Sequence, residues 1–227
     1  MSEIFLSVQG EGPRIGEPSI FVRFAYCNLS CSWCDTKYAW DFEKYEHDGE
    51  VDILPIEEIV DNIIELTKNL ECINIVFTGG EPLLQENAIV KIIKMLYNKD
   101  MCDYLFLIET NGTIPPKELK PINNEDVVLI VSPKLKNSGM NKIPVVAHLI
   151  YSYSQIYWKF VVNSIEDFEE IDRFVEEKQI YSPIYIMPQC VVLEQLINSE
   201  YLIPECIKRG YTYSPRLQVL FGKKRGF

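Results

Sequence analysis

Three cysteines, Cys27, Cys31 and Cys34, stand in the run Cys-Asn-Leu-Ser-Cys-Ser-Trp-Cys-Asp-Thr. Three thiolates on one short loop can hold three irons of a four-iron cluster and leave the fourth iron without a protein ligand. That open iron is a place for a substrate or cofactor to bind, whereas clusters used only for electron transfer normally carry four protein ligands. Zinc is the plainer alternative, but structural zinc takes four ligands, usually in two pairs. Here the triplet is uneven, and His47 and His148 are the only histidines. A disulfide framework fits less well again. The cysteine count of seven is odd, the chain is long enough to build a core without one, and no signal peptide is expected ahead of it. Cys72, Cys102, Cys190 and Cys206 show no pairing motif and read as small buried residues.

Other polar clusters carry the next hint. Thr78-Gly79-Gly80-Glu81-Pro82, Glu109-Thr110-Asn111-Gly112, Ser132-Pro133-Lys134 and Met187-Pro188-Gln189 each follow a short apolar run. Two glycines let a backbone approach a ligand closely, and Glu81 would place an acceptor there. Taken singly, each cluster is an ordinary turn; their common position is what matters, because it sets the fold they need.

Strands are expected over residues 19–25, 73–77, 104–108, 127–131, 157–162, 184–187 and, last, 217–221. Helices are expected over 56–70, 88–97, 166–178 and part of 193–208, where apolar residues recur at spacings of three and four. Continuous apolar strands alternating with amphipathic helices imply an α/β fold with a parallel sheet covered by helices. About six to seven β/α units are too few for a closed eight-unit barrel, so an incomplete TIM-type barrel is expected. In such a barrel the carboxyl ends of the strands converge on one mouth. The four polar clusters and the cysteine loop would then share one rim. No repeat or linker divides the 227 residues, so 1–227 is read as a single domain. The 135–156 stretch is irregular for a compact domain, which fits a lid or an interface.

Composition narrows the class. A hydrophobic content of 47% suits a globular protein with a substantial core. No stretch is long and apolar enough for a membrane span, and a cytoplasmic location is expected, where thiols stay reduced. A formal charge of −11 argues against a nucleic-acid backbone as partner. Arg216, Lys223, Lys224 and Arg225 make the end of the chain locally basic, and such a tail is ordinarily a solvated end.

With these residues in place, the sequence resembles the radical S-adenosylmethionine (SAM) enzymes, in the cysteine triplet and in Gly79-Gly80-Glu81-Pro82. Within them it resembles the 7-carboxy-7-deazaguanine synthase family. The shared stretches are Val8-Gln9-Gly10-Glu11-Gly12, Phe21-Val22-Arg23, the cysteine loop through Asp35-Thr36, Ala39-Trp40, Thr78 to Pro82, Glu109 to Gly112 and Ser132-Pro133-Lys134. The resemblance implies a radical SAM core that converts 6-carboxy-5,6,7,8-tetrahydropterin to 7-carboxy-7-deazaguanine with loss of ammonia. A [4Fe-4S] cluster on Cys27, Cys31 and Cys34, SAM and Mg2+ would be its cofactors.

By the same resemblance, Trp33, Cys34, Asp35, Gly80, Glu81, Ser132, Pro133 and Lys134 would meet SAM, with Glu109, Met187 and Gln189 nearby. Val8, Gln9, Gly10, Glu11, Arg23, Thr78 and the terminal Phe227 would meet the pterin. Arg23 would grip its carboxylate with both arms of the guanidinium, although Arg23 also alternates with Val22 and Phe24 as an outward strand residue would. Thr36 would coordinate Mg2+, completed by substrate oxygens and water. Asp35 would be an outer acceptor or a cap for the turn that follows. Partners implied are the small-molecule pterin and an electron donor such as a flavodoxin or ferredoxin, with a homodimer as an open alternative and no nucleic acid or membrane. Two departures stand out: Tyr26 where many relatives have glycine, and Phe227 where some end in proline.

Two rival functions use the same cysteines. An activase that makes a glycyl radical on a partner protein shares the spacing but needs a docking surface in place of a pterin pocket, and Gln9, Gly10, Glu11 and Arg23 speak for the pocket. A zinc- or cluster-binding interaction module would cleave no SAM and would leave the strand-end clusters without a purpose.

Overall fold

A computed structural model describes residues 1–45, 51–68, 70, 72–99, 103–119, 122, 125–147 and 153–222. His47, His148, Cys102, Lys223, Lys224, Arg225 and Phe227 lie outside the described residues, as does the side chain of Cys72.

Eight strands form one sheet in chain order: β1 (Glu3–Val8), β2 (Pro18–Phe24), β3 (Cys72–Gly79), β4 (Asp103–Thr110), β5 (Val127–Val131), β6 (Gln155–Val162), β7 (Ile184–Pro188) and β8 (Thr212–Tyr213). All neighbouring pairs from β2 to β8 are parallel, and β1 lies antiparallel on the β2 edge. The sheet is not closed, so the expected incomplete barrel stands. Helices α1 (Ile56–Thr67), α2 (Glu86–Lys99) and α3 (Asp167–Lys178) follow β2, β3 and β6 and serve as the crossovers between parallel neighbours. After β7 come α4 (Leu193–Ile197), a short 3-10 turn and α5 (Leu202–Arg209), and the chain passes through β8 to α6 (Leu217–Leu220). None of the described helices is long and apolar enough to cross a membrane.

The strand expected over 217–221 is a correction. Leu217, Val219 and Phe221 alternate in the sequence, but the amides of Leu220 and Phe221 bond to the carbonyls of Arg216 and Leu217, closing a helical turn. The eighth strand is instead the two residues Thr212–Tyr213 beside β7. The sequence reading does not single out β1, whose last residue, Val8, opens the Val8-Gln9-Gly10-Glu11 motif.

Two apolar layers follow from the alternation of each strand. The larger lies between sheet and helices, with Val22, Phe24, Ile75, Phe77, Phe106, Ile108, Trp158 and Phe160 facing Ile59, Ile63, Ile89, Ile93 and Phe168. The smaller, on the concave face, is Phe21, Val76, Leu107, Val128 and Ile130, joined by Phe5 and Tyr157. Two residues beyond this apolar floor, the same period puts Arg23, Thr78, Glu109, Ser132 and Lys159 on the same face. The floor therefore carries a polar ring above it.

Candidate active site

Arg23, Thr78, Glu109, Ser132 and Lys159 line one cavity together with Cys27, Cys31 and Cys34. Its volume is about 250 Å³, near the lower end of the roughly 300–1,000 Å³ of small-molecule sites. Of the other residues expected at the site, Val8, Gln9, Gly10, Glu11, Trp33, Asp35, Thr36, Gly80, Met187 and Gln189 also line it. Arg23 thus faces inward, which decides between its two readings. Pro133 and Glu81 do not line the cavity.

The cysteine loop is held down from several sides. Gly79 and Gly80 bring β3 against the chain entering the loop: a Cβ on Gly80 would fall 2.0 Å from the Tyr26 carbonyl, and one on Gly79 2.1 Å from that of Phe24. Glu81, expected to offer an acceptor to the ligand, is fully buried and turns its carboxylate to the end of β4. It accepts from the Asn111 amide and Thr110 hydroxyl, both at 2.7 Å, and from the Leu83 amide at 3.1 Å. Asn111 Nδ2 then donates to Asn28 inside the cysteine loop at 2.9 Å. On the other flank, Trp33 Nε1 donates to Asn137 at 3.0 Å and the Ser32 amide to the Ser138 carbonyl at 3.0 Å. The start of the irregular 135–156 stretch is therefore bound to the cysteine loop.

The donor set fits a cluster. Burial pushes the Cys27 thiol up to about 11, with the Glu81 carboxylate adding to the rise. Burial raises Cys31 also, against the pull of the Lys134 ammonium. Thiols raised in this way become thiolates only where positive charge compensates, which iron supplies. Sulfur-directed donors are already in place, from the Leu29 amide to Cys27 Sγ at 3.4 Å and from Trp40 Nε1 to Cys34 Sγ at 3.3 Å. Among the described residues, no three His, Cys, Asp or Glu side chains converge on a single metal ion. Lys134 sits beside the thiols, its Nζ 3.0 Å from Ser132 Oγ and 5.6 Å from the Trp33 ring centre. Burial lowers its pKa. Thr36 presents its hydroxyl 3.5 Å from Cys34 Sγ and lines the cavity. One neutral hydroxyl suits Mg2+ only with oxygens from substrate and water.

The rest of the cavity is built from ion pairs. Glu11 accepts from Lys159 Nζ at 2.9 Å and from Gln218 Nε2 at 2.7 Å. Burial alone would raise the Glu11 pKa, but Lys159 and then Arg216 outweigh it and hold the group at about 2. Glu109, expected beside SAM, accepts from Gln9 Nε2 at 3.1 Å and Thr78 Oγ1 at 2.8 Å, two residues expected on the pterin. Arg23 Nε donates to Glu3 at 2.8 Å across the β1–β2 pair, and the Tyr38 hydroxyl reaches the same oxygen at 2.6 Å.

Arg216 corrects the reading of a solvated basic end. It is 7% exposed, pairs with Asp35, bonds to the Cys190 carbonyl and lies 3.8 Å from Glu11. Asp35 is accordingly an ion-pair partner; the turn after it begins at Thr36 with no side-chain cap. The segment from Ser214 to Gln218 straps the open side of the barrel to the β1–β2 loop. Ser214 Oγ accepts from the Gly12 amide at 2.7 Å, and the Leu217 amide donates to the Gly10 carbonyl at 2.9 Å. Sequence reasoning missed Lys159, Arg216, Gln218 and Glu3. Only Lys159 left a signal: a cation two residues from Tyr157 and two from Val161, on the cavity side of an apolar strand.

A family model described as the Radical SAM superfamily matches residues 21–137. A 7-carboxy-7-deazaguanine synthase of Rhodopirellula baltica is 33% identical over 100% of this chain and 88% of its own length. One from Pyrobaculum aerophilum is 34% identical over 99% of this chain and 95% of its own. Among solved structures, QueE from Escherichia coli shares the fold at a TM-score of 0.70 and 24% identity, covering 94% of this chain and 92% of that one. The AdoMet-bound anSMEcpe matches at 0.58 and 16% identity, over 85% of this chain and 63% of that one.

Proposed function

We infer the chemistry from the premise that the chain belongs to the 7-carboxy-7-deazaguanine synthase family of the radical SAM superfamily. It is a radical SAM lyase that converts 6-carboxy-5,6,7,8-tetrahydropterin to 7-carboxy-7-deazaguanine, with loss of ammonia, using SAM and an iron–sulfur cluster. The glycyl-radical activase and the non-enzymatic module are not favoured. The observation that carries the residue assignment is that the cysteine triplet and the Glu11–Lys159–Glu109 group line one and the same cavity.

Cys27, Cys31 and Cys34 are assigned to the cluster, leaving one iron for SAM. When bound, the cluster and SAM would together supply the one-electron, hydrogen-abstracting chemistry of the reaction. The remaining work falls to this chain's residues. Lys134, Ser132 and Pro133 form the turn proposed to hold the SAM carboxylate, with Lys134 as its cation. Trp33, Asp35, Gly80, Met187 and Gln189 wall the same space, and Glu81 supports it from behind by fixing the ends of β3 and β4.

Val8, Gln9, Gly10, Glu11 and Thr78 are assigned to the flat, donor-rich pterin, and Glu109 moves to this group because Gln9 and Thr78 bond to it. Arg23, with Nε engaged by Glu3, keeps its terminal nitrogens for the substrate carboxylate. Thr36 is assigned to Mg2+, which would neutralise and orient that carboxylate. The barrel floor of Phe21, Val76, Leu107, Val128 and Ile130 keeps water from the reacting face. We place the 227-residue catalytic domain in the cytoplasm, with a flavodoxin or ferredoxin as reductant.

Anaerobic reconstitution with iron and sulfide, followed by SAM, reductant, Mg2+ and the carboxypterin, tests the reading. The expected result is 7-carboxy-7-deazaguanine and ammonia in equal amounts. SAM cleavage with the carboxypterin left unchanged would overturn it.

A further inference from the structure

We propose that Lys159 is a positioning residue for the pterin: its ammonium bridges Glu11 and Glu109 and aims both carboxylates, as a pair of acceptors, at the donor edge of the substrate. The proposal rests on the substrate reading above. Lys159 Nζ lies 2.9 Å from Glu11 Oε2 and 3.8 Å from Glu109 Oε1, and the side chain is 8% exposed. The two carboxylates come from separate elements, the β1–β2 loop and the end of β4, so the cation they share fixes their separation. Neighbouring donors then turn the groups: Gln218 holds the second oxygen of Glu11, and Thr78 the second oxygen of Glu109. A carboxylate has about four lone-pair positions, so each keeps acceptor capacity for a ligand.

The charge at this place has a further consequence. Facing Glu11 and Glu109 are Lys159 from β6, Gln9 from the β1–β2 loop, Thr78 from β3, and Arg216 and Gln218 from the C-terminal strap. Cys190 and Asp35 stand behind Arg216. Without Lys159, the two half-buried carboxylates keep Arg216, 3.8 Å from Glu11, and the more distant Lys134 of the same cavity as neighbouring cations among the described residues. Burial and mutual repulsion then favour a shared proton, which replaces an acceptor with a donor aimed at ring N–H groups.

The test compares wild type, Lys159→Met, Lys159→Arg and the double variant Lys159→Met/Glu109→Gln in the reconstituted enzyme. At pH 7, Lys159→Met is expected to raise the KM for the carboxypterin about thirty- to several-thousand-fold, as loss of one partner of a buried charge pair does. The change that SAM causes in the paramagnetic resonance spectrum of the reduced cluster should stay as in wild type. Raising the pH from 6 to 9 should lower the KM of Lys159→Met, because the carboxylates then ionise, while the wild-type KM stays flat. Lys159→Arg should recover most of the affinity. The double variant removes one charge of each sign and carries the test if the single variant fails to fold; its KM should also be raised, by at least about tenfold. A wild-type KM in either Met variant overturns the proposal and leaves the functional reading standing. So does a Lys159→Met enzyme whose SAM binding, iron content and turnover fall together at every pH. No turnover of the carboxypterin by wild type would overturn the functional reading itself.

Discussion

The two sides of the barrel mouth are satisfied in different ways. On the cysteine side, burial raises the Cys27 and Cys31 thiols, and burial lowers the Lys134 ammonium. These groups have been taken out of water without a full set of opposite charges. In the pterin group, Glu11 and Glu109 share the Lys159 ammonium, Arg216 pairs with Asp35 of the cysteine loop and lies 3.8 Å from Glu11, and Lys159 and Arg216 have their pKa values raised against the cost of burial. One side is built to be completed by a charged cofactor; the other is complete in itself and offers geometry. The difference teaches that the cysteine side should fail by losing its cofactor. The paired side should fail by losing substrate affinity while the cofactor remains.

Breaking the cysteine side outright has the largest expected effect. Cys31→Ala should abolish SAM cleavage, to below about one-thousandth of wild type, since an incomplete ligand set does not hold the cluster; Cys206→Ala, far from the loop, should leave it intact. Assay of 5′-deoxyadenosine with iron counting checks both. Lys134→Met removes the cation from that side without touching the thiols. Loss of one charge-assisted hydrogen bond costs about 1.5–3 kcal/mol, so SAM affinity should fall about 10- to 150-fold with iron content unchanged. Equilibrium dialysis measures it.

Thr36 stands between the two sides. Thr36→Val keeps the shape and deletes the hydroxyl, and should weaken the Mg2+ response of pterin turnover about three- to tenfold. Uncoupled SAM cleavage should change less, and a metal titration of both activities separates them. The smallest effect concerns the entrance to the loop. Tyr26 sits at φ 73°, where a side chain costs about 1–2 kcal/mol. Its edge-on contact with Phe42, 5.3 Å between centres, and the entropy glycine would lose each return about 0.5–1.5 kcal/mol. Tyr26→Gly should therefore leave the melting temperature within a few degrees of wild type. Tyr26→Val keeps the strain without the ring and should lower it further.

Local chemistry was legible in the sequence and distant pairing was not. Cys27, Cys31, Cys34 and Gly79-Gly80-Glu81-Pro82 are contiguous motifs, and the period of the strands was enough to bring them to one rim. For Glu81 the sequence shows a carboxylate beside two glycines but not the β4 end to which it turns. Arg216 was read as tail because its partners, Asp35 and Glu11, lie about two hundred residues away in the chain. The strand expected over 217–221 failed for a related reason: alternation promises an edge to pair with, and the edge of β7 is taken up by Thr212–Tyr213.

Arg23→Ala tests the division of the mouth most directly, because Arg23 belongs to the substrate group but sits in the same cavity as the thiols. Its cost on carboxypterin turnover should be about 2–5 kcal/mol, or roughly thirty- to several-thousand-fold at low substrate. The measurement is one sample of the reconstituted variant, read twice: by paramagnetic resonance of the reduced cluster with and without SAM, and by the initial rate of 7-carboxy-7-deazaguanine formation. The account predicts a wild-type response to SAM beside a collapsed rate. A wild-type rate, or a SAM response lost together with the rate, would contradict it.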